Sequence, residues 1–327
     1  MKGYKKLFLC LPLIGCVSLQ SPIINAQETE VKVLLNWFPE AEDGGIYEAL
    51  EEGLYKKVGL DVKVIVGGER PHGQIQIASN EVQFYTGDQI SLFRAIANGL
   101  PNIGVGIILQ KPLTAIITHD NVSSLHDLKG KTLLVSEEGM NSYWPWMKSK
   151  YRLSDAQVRP YLGSVAPFLM DNNIAQQGYV TLETYLIGEK HIGYKVFPLS
   201  DHGLPGYGEI IETNKNFAQN NPFVVSKFLS ATYEGYRDYL KDPAAANKEI
   251  YHLYPAYGPK ILTFGYNILK KGCYITGPEC KVSGIGKFDA KKWAETYSFM
   301  KKWKLLTKPL DLSSTFNNSY YSYQEKK

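Results

Sequence analysis

The chain has 327 residues, 44% hydrophobic and 21% charged, with a formal net charge of +4. That length is long for one core and points to two lobes. Residues 1–26 hold Lys2, Lys5 and Lys6 and no acid, so without them the balance falls to +1, which excludes the basic stripe of a nucleic-acid binder.

The first 26 residues read as an export signal. A lysine-bearing start leads into Leu7–Leu19, an apolar run too short to span a bilayer. Two ways of processing stay open: cleavage after Ala26, or acylation of Cys16 in Leu13-Ile14-Gly15-Cys16. Either way the expected location is periplasmic. Cys10 and Cys16 fall in the leader, leaving Cys273 and Cys280 around a Gly/Pro turn, where one local disulfide is expected. Two cysteines fall short of a closed zinc site, and no cofactor is expected.

The exported part opens on the apolar run Val31–Trp37, which stops at Asn36 and Trp37. After an acidic turn, Glu40–Asp43, the residues Ile46, Ala49, Leu50 and Leu54 repeat at helical spacing and Gly59 stands as C-cap. Asp61–Val66 is a second strand, so this is a βαβ unit, which requires a parallel pair. Ligands in such sheets gather beyond the carboxyl ends of the strands. The strand Val82–Thr86 ends at Asp88, and Asn102–Leu109 ends at Gln110, on that same edge. Leu113–His119 is a further strand, and residues 27–121 read as the first part of lobe 1.

A hinge is expected at Asp120–Ser123. Lys131–Ser136 opens a second sheet, followed by Glu137, Glu138 and a helix carrying Tyr143, Trp144 and Trp146. Val158–Leu162, Ile174–Val180 and Ile192–Leu199 are extended, with a helix over Leu182–Glu189, so residues 122–203 form lobe 2. The chain returns near His202–Pro205, and residues 204–327, mostly helical, complete lobe 1. Pockets at such an interface are the default binding site.

Signals of catalysis are sparse. Gly130-Lys131-Thr132 resembles the end of a phosphate loop, but Leu125 stands where its first glycine belongs. The six histidines are scattered, and no nucleophile elbow occurs. Glu40 and Glu137 read as solvated turns. Aromatic residues near strand ends say more: Trp37, Tyr143, Trp146, Tyr179 and Tyr185 could stack a flat ligand whose ring edge is fixed by a carboxylate and an amide. Trp144 and Tyr185 read as core.

Several segments in order carry a family resemblance: Leu35-Asn36-Trp37-Phe38-Pro39, Gly45-Ile46-Tyr47, Gln110-Lys111-Pro112, Asp127-Leu128-Lys129-Gly130-Lys131, Gln176-Gln177-Gly178-Tyr179-Val180-Thr181 and Phe316-Asn317-Asn318. The chain resembles periplasmic substrate-binding proteins of the sulfonate/nitrate/thiamine-pyrimidine-precursor class. The resemblance implies an α/β, two-lobe type II periplasmic-binding-protein fold with a ligand cleft between the lobes. It implies a monomer that hands a small solute to an ABC permease, with no enzymatic activity. The Asn-Trp pair is similar to the branch that binds pyrimidine precursors of thiamine. Asn36 and Trp37 would then hold and stack the ring, and Glu183 would accept from an exocyclic amino group. The ligand-facing set so implied is Asn36, Trp37, Glu42, Tyr47, Asp88, Gln110, Glu138, Tyr143, Trp146, Tyr179 and Glu183.

Two departures keep other solutes open. Thr184 stands where many relatives have proline, and Glu40-Ala41-Glu42-Asp43 where many have Asn-x-Asp-His. Riboflavin or another heterocycle is the alternative. A sulfonate or nitrate is disfavoured, because Arg70 and Arg94 do not stand at strand ends. A synthase of the thiamine pyrimidine shares this fold but uses a cysteine run and a lysine and histidine after the third strand. Tyr85–Ala97 has neither lysine nor histidine.

Overall fold

The computed structural model describes residues 28–68 and 72–322. The expected leader with Cys16, the expected cleavage point after Ala26, and Arg70 lie outside the described residues. The strands are β1 (Thr29–Leu34), β2 (Leu60–Ile65), β3 (Phe84–Gly87), β4 (Asn102–Leu109), β5 (Thr114–His119), β6 (Thr132–Val135), β7 (Val158–Pro160), β8 (Ile174–Tyr179), β9 (Tyr194–Pro198) and β10 (Glu209–Asn214). Helices used below are α1 (Gly44–Glu51), α2 (Leu54–Lys57), α3 (Gln89–Ala97), α4 (Glu137–Asn141), α5 (Glu183–Gly188), α6 (Pro222–Tyr239) and α7 (Pro259–Lys271).

Two sheets form, with orders β2-β1-β3-β10-β4 and β7-β6-β8-β5-β9. β1 pairs parallel with β2 from Thr29↔Leu60 to Leu34↔Ile65, as the opening βαβ unit requires. Each sheet also holds one strand antiparallel to both neighbours: β10 between β3 and β4, and β5 between β8 and β9. The two lobes therefore share one plan. Each crossing of the chain delivers the antiparallel strand of the lobe it enters.

This placement corrects the expected boundary. β5 belongs to the second sheet, so the first crossing is residues 110–113 and not the stretch near Asn121. β4 is buried throughout and β5 nearly so. Both therefore read as strands of one core, and the apolar pattern cannot tell which sheet each joins. The break between them is Pro112, which has no N–H to give a ladder. The return crossing is residues 199–208 and contains His202–Pro205.

Lobe 1 is backed by α6, whose Phe228 ring stacks on Phe84 of β3 at 3.9 Å and on Tyr55 of α2 at 5.4 Å. The helix of the opening unit is split by Gly53, whose φ of +66° is left-handed, and Gly59 at +77° ends it. α1 lies on α6 without a spacer. A Cβ on Gly45 would stand 2.1 Å from the Tyr236 ring, and one on Gly44 2.2 Å from the Tyr239 ring. That contact lets the Tyr236 hydroxyl donate to the Glu42 carbonyl at 2.7 Å, which pins the acidic turn. Gly45→Ala should therefore lower stability by about 1–3 kcal/mol through overpacking. A urea midpoint equal to that of the parent would show that Tyr236 swings aside at no cost.

Cys273 and Cys280 are bonded to each other. The loop they close lies on the first crossing: Gln110 N donates to Tyr274 O at 2.6 Å, and the Gln110 amide donates to Lys287 O at 3.1 Å. Lys292 Nζ donates to Gln110 O. One hinge strand is thus anchored to the C-terminal half of lobe 1.

Candidate functional site

The ends of β1, β3, β4, β6 and β8 and the start of β10 converge on one cleft between the sheets. It encloses about 780 Å³ counting its open mouth. Asn36 follows β1, Asp88 follows β3, Ser136 and Glu138 follow β6, Tyr179 closes β8 and Glu209 opens β10, and all of them line it. Glu42 and Tyr143 complete this group from their turns.

Backbone geometry sets several of these side chains. Asn36 N donates to Thr86 Oγ1 at 3.2 Å, tying the end of β1 to β3. Asp88 is the N-cap of α3 and accepts from Ile90 N at 2.8 Å and Ser91 N at 3.0 Å. Across the cleft, Glu138 stands in the first turn of α4 with its carboxyl against that of Asp88. Burial between the lobes and then the Asp88 charge push Glu138 up to about 8, with Arg94 acting in the opposite sense. Gln177 Oε1 accepts from the Tyr143 hydroxyl at 2.8 Å and from Ser136 N at 2.6 Å, fixing one wall.

Glu183 acts one step back from the ligand space. Its Oε1 accepts from the Tyr161 hydroxyl at 2.7 Å and its Oε2 from Tyr179 N at 2.6 Å. Both oxygens are therefore engaged within lobe 2. Gly178 lets α5 approach so closely, since a Cβ there would stand 2.8 Å from that of Glu183.

The floor is acidic. Burial holds Glu40, Asp43 and Glu209 well above the ordinary carboxylate range, with neighbouring carboxylates adding to each. Burial likewise raises Glu42 to about 7. Glu212, on the buried strand β10, is raised for the same reason, with Asp88 adding. Glu40 N donates to Asp43 Oδ2 at 3.0 Å, which closes the turn that carries these acids.

Asn36, Glu42, Asp88, Glu138, Tyr143 and Tyr179 thus meet in one space. The five other expected residues, Glu183 among them, do not line it. Tyr47 is core, 1% exposed, within the cluster that packs lobe 1. Trp146 is core as well, with its ring 5.9 Å from Phe299. Gln110 serves the hinge, as described above. Trp37 is half-buried outside this lining, edge-on to Phe38 at 5.4 Å and hydrogen-bonded to Tyr257. Glu183 shares that neighbourhood, since its charge and that of Glu40 both reach Tyr257.

Glu209, Gln177 and Tyr161 were not anticipated. A signal for Glu209 existed: a glutamate at the head of the apolar pair Ile210-Ile211 is an anomaly in a central strand. Gln177 and Tyr161 gave none, because their roles rest on contacts across the sheet.

The family model described as "NMT1/THI5 like" matches residues 41–246. The formylaminopyrimidine-binding protein of Halalkalibacterium halodurans is 25% identical, over 97% of this chain and 99% of its own. The riboflavin-binding protein RibY of Chloroflexus aurantiacus is 24% identical, over 92% and 89%. The 4-amino-5-hydroxymethyl-2-methylpyrimidine phosphate synthase of Schizosaccharomyces pombe is 24% identical, over 68% and 69%. Among solved structures, the periplasmic aliphatic sulphonate binding protein SsuA of Escherichia coli superposes with a TM-score of 0.64 at 14% identity, covering 87% of this chain and 91% of that one. The fold is therefore the two-lobe type II periplasmic-binding-protein fold.

Proposed function

Because this chain belongs to the NMT1/THI5-like family, we propose that it is the exported solute-binding component of an ABC importer. It closes its lobes on a small flat heterocycle bearing an amino group, a pyrimidine precursor of thiamine fitting best. The observation that carries this reading is the lining of the cleft. Glu42, Asp88, Glu138 and Glu209 supply carboxyl groups, Tyr143, Tyr179 and Tyr207 supply flat walls, and among the described residues no lysine, arginine or histidine lines it. An amino group donating to a carboxylate gains roughly 1.5–3 kcal/mol, whereas a sulfonate would find no cation to pair with among the described residues that line the cleft. The formylaminopyrimidine-binding relative supports the same class. A flavin is the second reading, supported by RibY.

Binding is preferred to the activity of the synthase relatives, since among the described residues no lysine, histidine or cysteine lines the cleft to serve as nucleophile. Closure would bring Tyr143 and Tyr179 of lobe 2 over a ring seated by Asn36, and would present a closed shape to a permease. Calorimetry with 4-amino-5-hydroxymethyl-2-methylpyrimidine, riboflavin and taurine tests the reading. The aminopyrimidine should bind and taurine should not. Tighter binding of taurine would overturn it, and tighter binding of riboflavin would shift the solute to the second reading.

A further inference from the structure

Resting on the reading of an amine-bearing heterocycle, we propose that the cleft holds its ligand as a cation: an amidinium edge, two N–H donors sharing one positive charge, seated on the carboxylates of Glu42 and Glu209. Glu209 is 2% exposed and lines the cleft, yet neither of its oxygens completes a hydrogen bond. Among the described residues the donor beside it is the Thr86 hydroxyl, which also accepts from Asn36 N. Glu42 is 6% exposed, lines the same space and leaves Oε2 unpartnered. A buried carboxylate with free oxygens is costly in a purely structural role.

Among the described residues the surroundings add acidic groups and no basic one. Glu42 faces Glu40 and Glu183, while Glu209 faces Asp43 and Glu42, with Tyr236 behind it. No basic side chain is among the groups acting on Glu40, Glu42, Asp43 or Glu209; Arg94 acts on Glu138. Among the described residues no group of three or more acids, histidines or cysteines is arranged to hold a metal ion. What these acids lack is a donor partner, and the tyrosine walls of the cleft suit a flat organic one.

An amidinium matches a carboxylate through two parallel N–H···O bonds. A pyrimidine with an exocyclic amine beside a ring nitrogen becomes one by taking a single proton. Glu42, raised to about 7, can supply it. The carboxyl O–H bond breaks, a ring N–H bond forms, and the proton stays within the resulting ion pair.

The test uses the exported protein and an isosteric pair of probes, benzamidinium and benzamide, titrated at neutral pH by calorimetry. Benzamidinium should bind about tenfold or more tighter. Glu209→Gln should remove about tenfold or more of its affinity and change that of benzamide less than about twofold. Glu42→Gln serves the same purpose should Glu209→Gln fail to give a cooperative melt. Equal binding of the two probes, binding of neither, or full benzamidinium affinity in both variants overturns the inference. The ultraviolet spectrum of bound 4-amino-5-hydroxymethyl-2-methylpyrimidine separates it from the proposed function. The acid-form spectrum supports both, and the neutral-form spectrum removes the cation while leaving capture of an aminopyrimidine standing.

Discussion

Glu183→Ala is expected to lower stability by about 2–5 kcal/mol and to weaken ligand binding about tenfold or more. The first effect follows from two short hydrogen bonds that end on this one carboxylate, from the Tyr161 hydroxyl at 2.7 Å and from Tyr179 N at 2.6 Å. Alanine leaves both donors without a partner in a buried place, and each costs about 1–3 kcal/mol. The second effect follows because Tyr179 lines the cleft and its backbone is held there by Glu183. Glu183→Gln should fall between, since one amide oxygen can serve one donor while the NH₂ faces the other. Urea denaturation and calorimetry measure the two effects separately. Within a Tyr161→Phe background the stability cost of Glu183→Ala should shrink, and an undiminished cost would show that the Tyr161 bond is not its source.

The ligand-free protein should lose stability as pH rises from about 5 to about 8, against the usual behaviour of paired carboxylates. Glu42 shows the sign. Its folded value is raised from 4.5 to about 7, chiefly by burial. Between those values the folded form keeps the proton while the unfolded chain has released it, so the folded form binds more protons and stability falls with rising pH. The contribution is fully present below the unfolded value and disappears as pH passes the folded one. For Glu42 this amounts to about 3 kcal/mol as an upper figure. Glu40, Asp43, Glu209 and Glu212 shift in the same direction and add to the slope. Denaturation midpoints across that window check it. A stability that climbs over the same range would mean that cations reach these acids in the empty protein. A bound cation should flatten the slope, because it favours the ionised carboxylates.

Much of the fold was legible because its causes are local. Alternating or continuous apolar runs mark the strands, Gly59 supplies the left-handed backbone that ends the first helical stretch, and Asp88 sits one residue ahead of a helical repeat it then caps. The strand-end position of Asn36, Asp88, Glu138 and Tyr179 followed from the rule that such sheets bind beyond their carboxyl ends. The alternation that placed these residues at the edge says nothing of which neighbours their side chains meet. Trp37 and Asn36 are adjacent in sequence, yet one turns to Tyr257 and the other lines the cleft.

What depended on packing was the partnership between distant segments. Whether β5 joins the first sheet or the second is a choice of hydrogen-bonding partner, which an apolar strand pattern does not specify. Glu42 and Glu209 become one acidic floor because β10 returns from lobe 2 and inserts between β3 and β4. The residue types, the helices and the strand ends are written in short stretches of chain, where period and turn chemistry act over a few residues. The hinge, the role of Glu183 as a brace for Tyr179, and the uncompensated charge of the cleft arise where stretches far apart in the chain exclude water together. Burial, which sets both the charge state and the demand for a partner, exists only after that meeting.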